Sequence, residues 1–195
     1  MSQILETNIE VTLTGRDRTT VFWRGILVAP VAAFALSFTQ TTHWGGGVAG
    51  VMTLPVVLAL LFRGVYPSYA LSFNHALLEL NTRVCAYLFL LTDEYPSIER
   101  NENISVIFPD VEGGKKLHPA LPLVKWLLVI PVVIVGLIYS IGAIVTVVLA
   151  WFNILFTGEY PEWAAKYVLS TITYWNEIFG YAVVLVSDKY PRFSL

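Results

Sequence analysis

Cysteine is almost missing from this chain. Cys85 is the only one in 195 residues, so a disulfide framework is excluded. Charge is scarce as well. Asp, Glu, Lys and Arg together make up 13% of the sequence, against about 25% in soluble domains. The balance of 12 Lys+Arg against 14 Asp+Glu leaves a net charge of −2, and no basic surface points to nucleic acid. His43, His75 and His118 are scattered and form no metal-ligand spacing with Cys85. There is no Gly-x-Ser-x-Gly, no Walker loop and no dinucleotide fingerprint. Gly45–Gly47 precedes an apolar stretch, but no phosphate-loop lysine follows, so it reads as a turn. No catalytic residue, metal ligand or cofactor site is expected, and the chain reads as non-enzymatic. The N-terminal stretch MSQILETNIEVTLTGRDRTT is polar. It lacks the pattern of a cleavable signal, so targeting is expected to rest on internal segments.

What the chain has is apolar length. It is 56% hydrophobic with a mean hydropathy of +0.65, which points to lipid. No charged residue falls in Gly25–Phe62 or in Trp126–Gly158. Each stretch exceeds the roughly 20 residues of one membrane crossing. Each is read as a helical hairpin, over residues 21–63 and 123–157. The first turn is placed at Thr39–Gly47, where Gly45, Gly46 and Gly47 break the helix and His43 and Trp44 suit a headgroup boundary. The second is placed at Tyr139–Gly142, with one long bent helix as the competing reading. Pro30, Pro55 and Pro131 fall inside the arms and read as kinks. Arg16, Arg18, Arg24, Arg63, Lys115, Lys116 and Lys125 flank the open ends. The positive-inside rule therefore places both termini in the cytoplasm. Tyr66, Tyr69, Trp126, Tyr160, Trp163 and Tyr167 read as an aromatic belt.

The sequence also repeats itself at an offset of about 95 residues. LFRGVYP (Leu61–Pro67) corresponds to LFTGEYP (Leu155–Pro161), and LTDEYP (Leu91–Pro96) to VSDKYP (Val186–Pro191). ILVAPV (Ile26–Val31) falls on LLVIPV (Leu127–Val132), and Ile9–Leu13 on Ile104–Phe108. The last two alternate β-favouring residues and read as short strands that pair with each other. Each copy, 1–97 and 98–195, is then strand, hairpin, corner, third helix and corner. In the corners, Gly64 and Gly158 end a helix, and Pro67 and Pro161 start the next. Asp93, Tyr95, Pro96, Asp188, Tyr190 and Pro191 form the second pair of corners, with the aspartates capping or closing them. The third helices, residues 68–92 and 162–187, carry a polar stripe. Glu79 and Arg83 are placed on its wet face, with Glu177 and Lys166 on the other copy. Such helices are expected to lie in the membrane interface. Two parallel copies then give four crossings, and inverted copies with six are the residual option.

These paired motifs resemble a bacterial family of small membrane proteins, the domain of unknown function DUF4389. The second copy carries the resemblance best, through LPLVKWLLVIP, AWFNILFTGEYPEW and VSDKYPRFSL. The expected fold is a mainly α, polytopic membrane protein with a small cytoplasmic β pairing, and the resemblance implies that the membrane is that of a bacterial cell. It implies no chemistry. The expected role is an accessory or scaffold subunit, partnered by the lipid bilayer and by itself or another membrane protein. A small transporter or channel is the alternative. Gly136, Ser140 and Ala143 share one side of a helix at small-residue spacing and are expected to serve helix packing.

Overall fold

The structure is a computed structural model and describes residues 5–39, 53–97, 99 and 103–195. Its elements are β1 (Glu6–Ile9), α1 (Thr20–Thr39), α2 (Thr53–Arg63), α3 (Ser68–Leu88), β2 (Ile104–Ile107), α4 (Pro122–Leu128), α5 (Ile130–Thr157) and α6 (Glu162–Ala182). The expected glycine tip at residues 40–47 of the first hairpin lies outside the described residues.

The second hairpin does not form. Residues 130–157 make one continuous helix, the competing reading of this segment, so the two short arms expected there are a single element. The physical reason is the surroundings of Gly142, which ends the expected turn, and of Gly136 close by. Gly136 and Gly142 keep helical backbone, and the missing side chains admit aromatic rings. A Cβ on Gly136 would stand 3.0 Å from the Tyr174 ring, and one on Gly142 2.3 Å from the Tyr167 hydroxyl. Small residues here bring α6 close to α5 instead of turning the chain. Pro131 marks an interruption and not a bend within α5: the helical run that begins at Pro122 is broken at Val129, two residues before it. Pro131 sits in the first turn of α5, where a missing N–H costs nothing. Pro55 lies in α2, and Pro30 lies inside α1.

The two strands pair with each other, antiparallel, with Ile9 opposite Ile104 and Glu6 opposite Ile107. The first strand is centred earlier than expected, at Glu6–Ile9. Beyond it the chain stays tied along the molecule. Glu10 donates to Asn103, Thr12 to Leu91, and Tyr160 to the Leu13 carbonyl. The alternation is clean: Glu6, Asn8, Glu10, Thr12 and Thr14 face outward, and Thr7, Ile9, Val11 and Leu13 face inward.

The fold has three layers. The sheet and its extension cover α3 and α6, and these two helices pack on their other side against α1 and α5. The core threads both halves of the chain together. One cluster joins Leu5, Val56 and Leu60 to Val106, Val184 and Leu185. A second joins Val21, Ala86 and Leu91 to Ala150, Ile154 and Val168. Leu60 and Ile154 are fully buried, and burial of such a side chain stabilises by about 1.5–3 kcal/mol.

This layering reverses the environment expected for the polar stripe of α3. Asn74, Glu79, Thr82 and Arg83 are all buried, as are Asn176 and Glu177 of α6. The stripe faces protein because its partners come from elsewhere in the chain. Asn176 donates to the hydroxyls of Thr7 and Thr82, each at 3.0 Å. Arg83 binds Glu79 at 3.1 Å and donates to the Ser97 and Glu99 carbonyls. Glu177 is bound by Arg192. Lys166 alone of that set stays exposed, paired with Glu162.

Candidate functional site

The corner motifs come together at two anchors built alike. In the first, Arg24 near the start of α1 reaches back to the corner that follows α3. It donates to the carbonyls of Tyr87 and Thr92 at 3.1 and 2.6 Å and pairs with Asp93. Its guanidinium lies over the Tyr87 ring at 4.7 Å. Arg16 joins the same carboxylate at 3.0 Å and donates to Leu90 and Leu91. In the second anchor, Lys125 of α4 donates to the Ser187 carbonyl at 2.7 Å, pairs with Asp188 at 2.7 Å and lies 4.8 Å from the Tyr181 ring centre. The side chains of Arg16, Arg24 and Lys125 are 0%, 3% and 1% exposed, while each aspartate keeps 26%. The cations are thus the desolvated partners. Burial lowers the pKa of Arg16 to about 10. It lowers that of Lys125 too, against the opposing pull of Asp188.

Asp93 and Asp188 therefore close their corners by binding cations from the far end of a long apolar segment. Each also accepts a backbone N–H from the loop before that segment, from Asp17 at 3.3 Å and from His118 at 2.6 Å. The basic residues were legible in the sequence only as membrane flanks. One signal could have paired them: Arg24 and Lys125 stand at the same distance ahead of Pro30 and Pro131.

The remaining corner residues recur in the same way. Gly64 and Gly158 adopt left-handed backbone, with φ of 59° and 79°, and donate to Leu60 and Ile154. Pro67 and Pro161 are the N-cap residues of α3 and α6, in extended backbone. Tyr95 donates to the Leu27 carbonyl at 3.0 Å and meets the Tyr87 ring edge-on. Tyr190 donates to Leu128 at 2.9 Å and meets Tyr181 likewise. Pro96 and Pro191 are buried beside them. Leu90 and Leu185 share positive φ, 65° and 63°.

Tyr66 and Tyr160 cross between the halves. The Tyr66 hydroxyl donates to Val184 at 2.6 Å, and the Tyr160 hydroxyl to Phe89 at 3.2 Å. Their backbone N–H groups cross as well, to Gly113 and to Leu13. Burial raises both phenol pKa values to about 12. Gly136, Ser140 and Ala143 lie against α6. Trp175 donates its indole N–H to the Ser140 hydroxyl at 2.8 Å, and Ala143 is buried. Beside them a cavity of about 210 Å³ opens between α3, α5 and α6, lined by Asn81, Cys85, Ser140, Thr171, Trp175 and Asn176 among others.

Large apolar side chains stand exposed along α1, α4 and α5, among them Trp23, Ile26, Leu127, Ile138, Ile141 and Phe156. Among the described residues one helix, α5, is long and apolar enough to cross a membrane. The architecture is that of a mainly helical protein with a two-stranded sheet and an uncovered apolar side. Residues 122–194, which hold α4, α5, α6 and the Lys125–Asp188 anchor, match the family model described as Domain of unknown function (DUF4389). No curated protein and no solved structure matches the chain.

Proposed function

We propose that the protein is a non-enzymatic membrane component built from two tandem copies of the DUF4389 unit. It acts as a scaffold or accessory subunit that packs with itself or with a membrane partner. The observation that carries this reading is the division of the surface. The anchors and the polar stripe are turned inward, whereas the uncovered sides of α1, α4 and α5 are apolar. Exposed apolar patches of this extent mark lipid or protein contact. The duplication is supported by the recurring anchors, corners and reciprocal tyrosines, which extend to residues ahead of the matched segment. The family likeness supports a bacterial cell membrane, and the basic loops before α1 and α4 support cytoplasmic termini.

The cavity between α3, α5 and α6 is lined by no charged residue, which favours the accessory role over ion transport. The discriminating experiment is a mass measurement on the full chain extracted in native lipid particles, followed by reconstitution. A defined hetero-complex supports the accessory role. A homo-oligomer that carries ion-dependent flux in liposomes overturns it.

A further inference from the structure

The three layers run side by side for their whole length, and this constrains how the molecule can meet a bilayer. The α5 helix and α6 are antiparallel neighbours from end to end. The Tyr174 hydroxyl reaches the Val132 carbonyl at 2.9 Å, and that of Tyr167 the Tyr139 carbonyl at 3.3 Å. Ala150 and Ile154 cluster with Ala164 and Ala165 near the other end. Helix α6 is in turn covered by the first strand and its extension. Leu5 meets Gly180, Thr7 meets Asn176, and Leu13 meets Tyr160. The outward face of that strand carries Glu6, Asn8, Glu10 and Thr12, all exposed.

Wherever α5 is followed along its axis, one side is therefore apolar and the other side of the molecule is polar strand. The apolar side is a straight stripe, Ile134, Ile138, Ile141, Val145, Val148 and Phe152, in steps of one helical turn. A perpendicular α5 would carry Glu6 and Glu10 across the hydrocarbon beside it. Charged side chains are excluded from lipid because no water completes their hydrogen bonds there.

We infer that the protein lies in the plane of the bilayer, with the outer faces of α1, α4 and α5 sunk in one leaflet and the sheet facing water. The length and composition of α5 permit a crossing, but the strand beside it does not. The occupant of the apolar face is lipid and not a second copy, because exposed apolar side chains spread over α1, α2, α4 and α5 and Trp23, Trp126 and Trp163 stand exposed among them. Aromatic rings of this kind settle at the headgroup level. This inference rests on the membrane reading above and specifies its geometry.

The test uses the full chain in unilamellar vesicles of phosphatidylethanolamine and phosphatidylglycerol. Single nitroxide labels are attached through Ile134→Cys, Ile141→Cys, Val148→Cys and Asn8→Cys in a Cys85→Ser background. Depth is read from collisions with oxygen and with a water-soluble nickel chelate. The expected result is one common depth for the three α5 labels and a water-exposed label on the strand. A crossing helix instead separates Ile134 from Val148 by about 21 Å along the membrane normal, with graded depths. That profile, or an Asn8 label shielded from the chelate, overturns the in-plane arrangement alone. Spin–spin broadening between copies at all three α5 labels overturns lipid as the occupant. Failure to float with vesicles overturns the membrane reading itself, and the inference with it.

Discussion

The hydroxyl of Tyr66 donates to the carbonyl of Val184 at 2.6 Å, joining the corner after α2 to the segment that follows α6. Tyr160 makes the reciprocal bond to Phe89. Both tyrosines are buried, with 3% exposure each. Tyr66→Phe leaves the Val184 carbonyl without its partner, a loss of about 1–3 kcal/mol. Tyr160→Phe is expected to cost less, because its bond is longer. Chemical denaturation in detergent micelles, followed by near-ultraviolet dichroism, measures both. Equal, negligible losses would refute a structural role for the crossing.

The glycines of the corners separate two effects. Gly64 has φ of 59° and nothing within 4 Å of a Cβ placed on it. Gly64→Ala therefore carries only the left-handed backbone penalty, about 1–2 kcal/mol. Gly114 has φ of 103°, and its Cβ would stand 2.6 Å from the Tyr66 backbone nitrogen. Gly114→Ala is expected to destabilise more, because a backbone atom cannot rotate away. Midpoints of thermal unfolding for the two variants check the order.

Removing the carboxylates tests the anchors. Asp93→Asn leaves two buried guanidiniums without a counter-charge, and both stay charged at neutral pH. About 3 kcal/mol is expected, at the low end for a broken buried pair because Asp93 retains some water contact. Asp188→Asn leaves one ammonium, which can lose its proton instead. It is expected to cost less and to be partly rescued by Lys125→Met. Denaturation midpoints of the single and double variants decide this, and rescue of the Asp93 variant by Arg24→Met alone would contradict the role of Arg16.

Alkaline pH provides a fourth test. The phenols of Tyr66 and Tyr160 are raised by burial from 10.0 to about 12. A group whose folded pKa lies above its unfolded value gives stability that is complete below the unfolded pKa and is lost as pH rises through the folded one. These two phenols therefore stabilise fully below pH 10, and that contribution falls away between about 10 and 12. Arg16, lowered to about 10 from 12.5, acts with the opposite sign in the same window, since the unfolded chain then binds the extra proton. Tyr66→Phe is expected to flatten the fall in stability across this range. Tyrosinate absorbance should show late-titrating phenols that are fewer in the variant.

The chain's own pattern carried much of this organisation. Alternation in Ile9–Leu13 and Ile104–Phe108 announced two extended segments, and they do pair, because two half-apolar strands need each other's hydrogen bonds. The shift of the first strand to Glu6–Ile9 follows from its partner, since register is fixed by what lies opposite. Residue spacing also placed helix ends at Gly64 and Gly158, where only a residue without Cβ adopts left-handed backbone at little cost. The polar stripe of α3 was visible, but its environment was not. Glu79 and Arg83 look the same in a list of residues whether water or Ser97 and Glu99 receive their hydrogen bonds.

Composition and repetition by themselves determined that the chain is apolar, helical and twofold in pattern, because these follow from local periodicity and from matching words in the chain. Tertiary contact alone decided the rest. Gly136 and Gly142 stay helical because aromatic rings of α6 occupy the space above them. Arg24 and Lys125 are interior anchors and not flanks, because the carboxylates that hold them arrive from more than sixty residues away. The length of α5 suits a crossing, yet which way its axis meets the bilayer depends on the strand that runs beside it. A helix carries no record in its own sequence of the charge on the neighbour behind it.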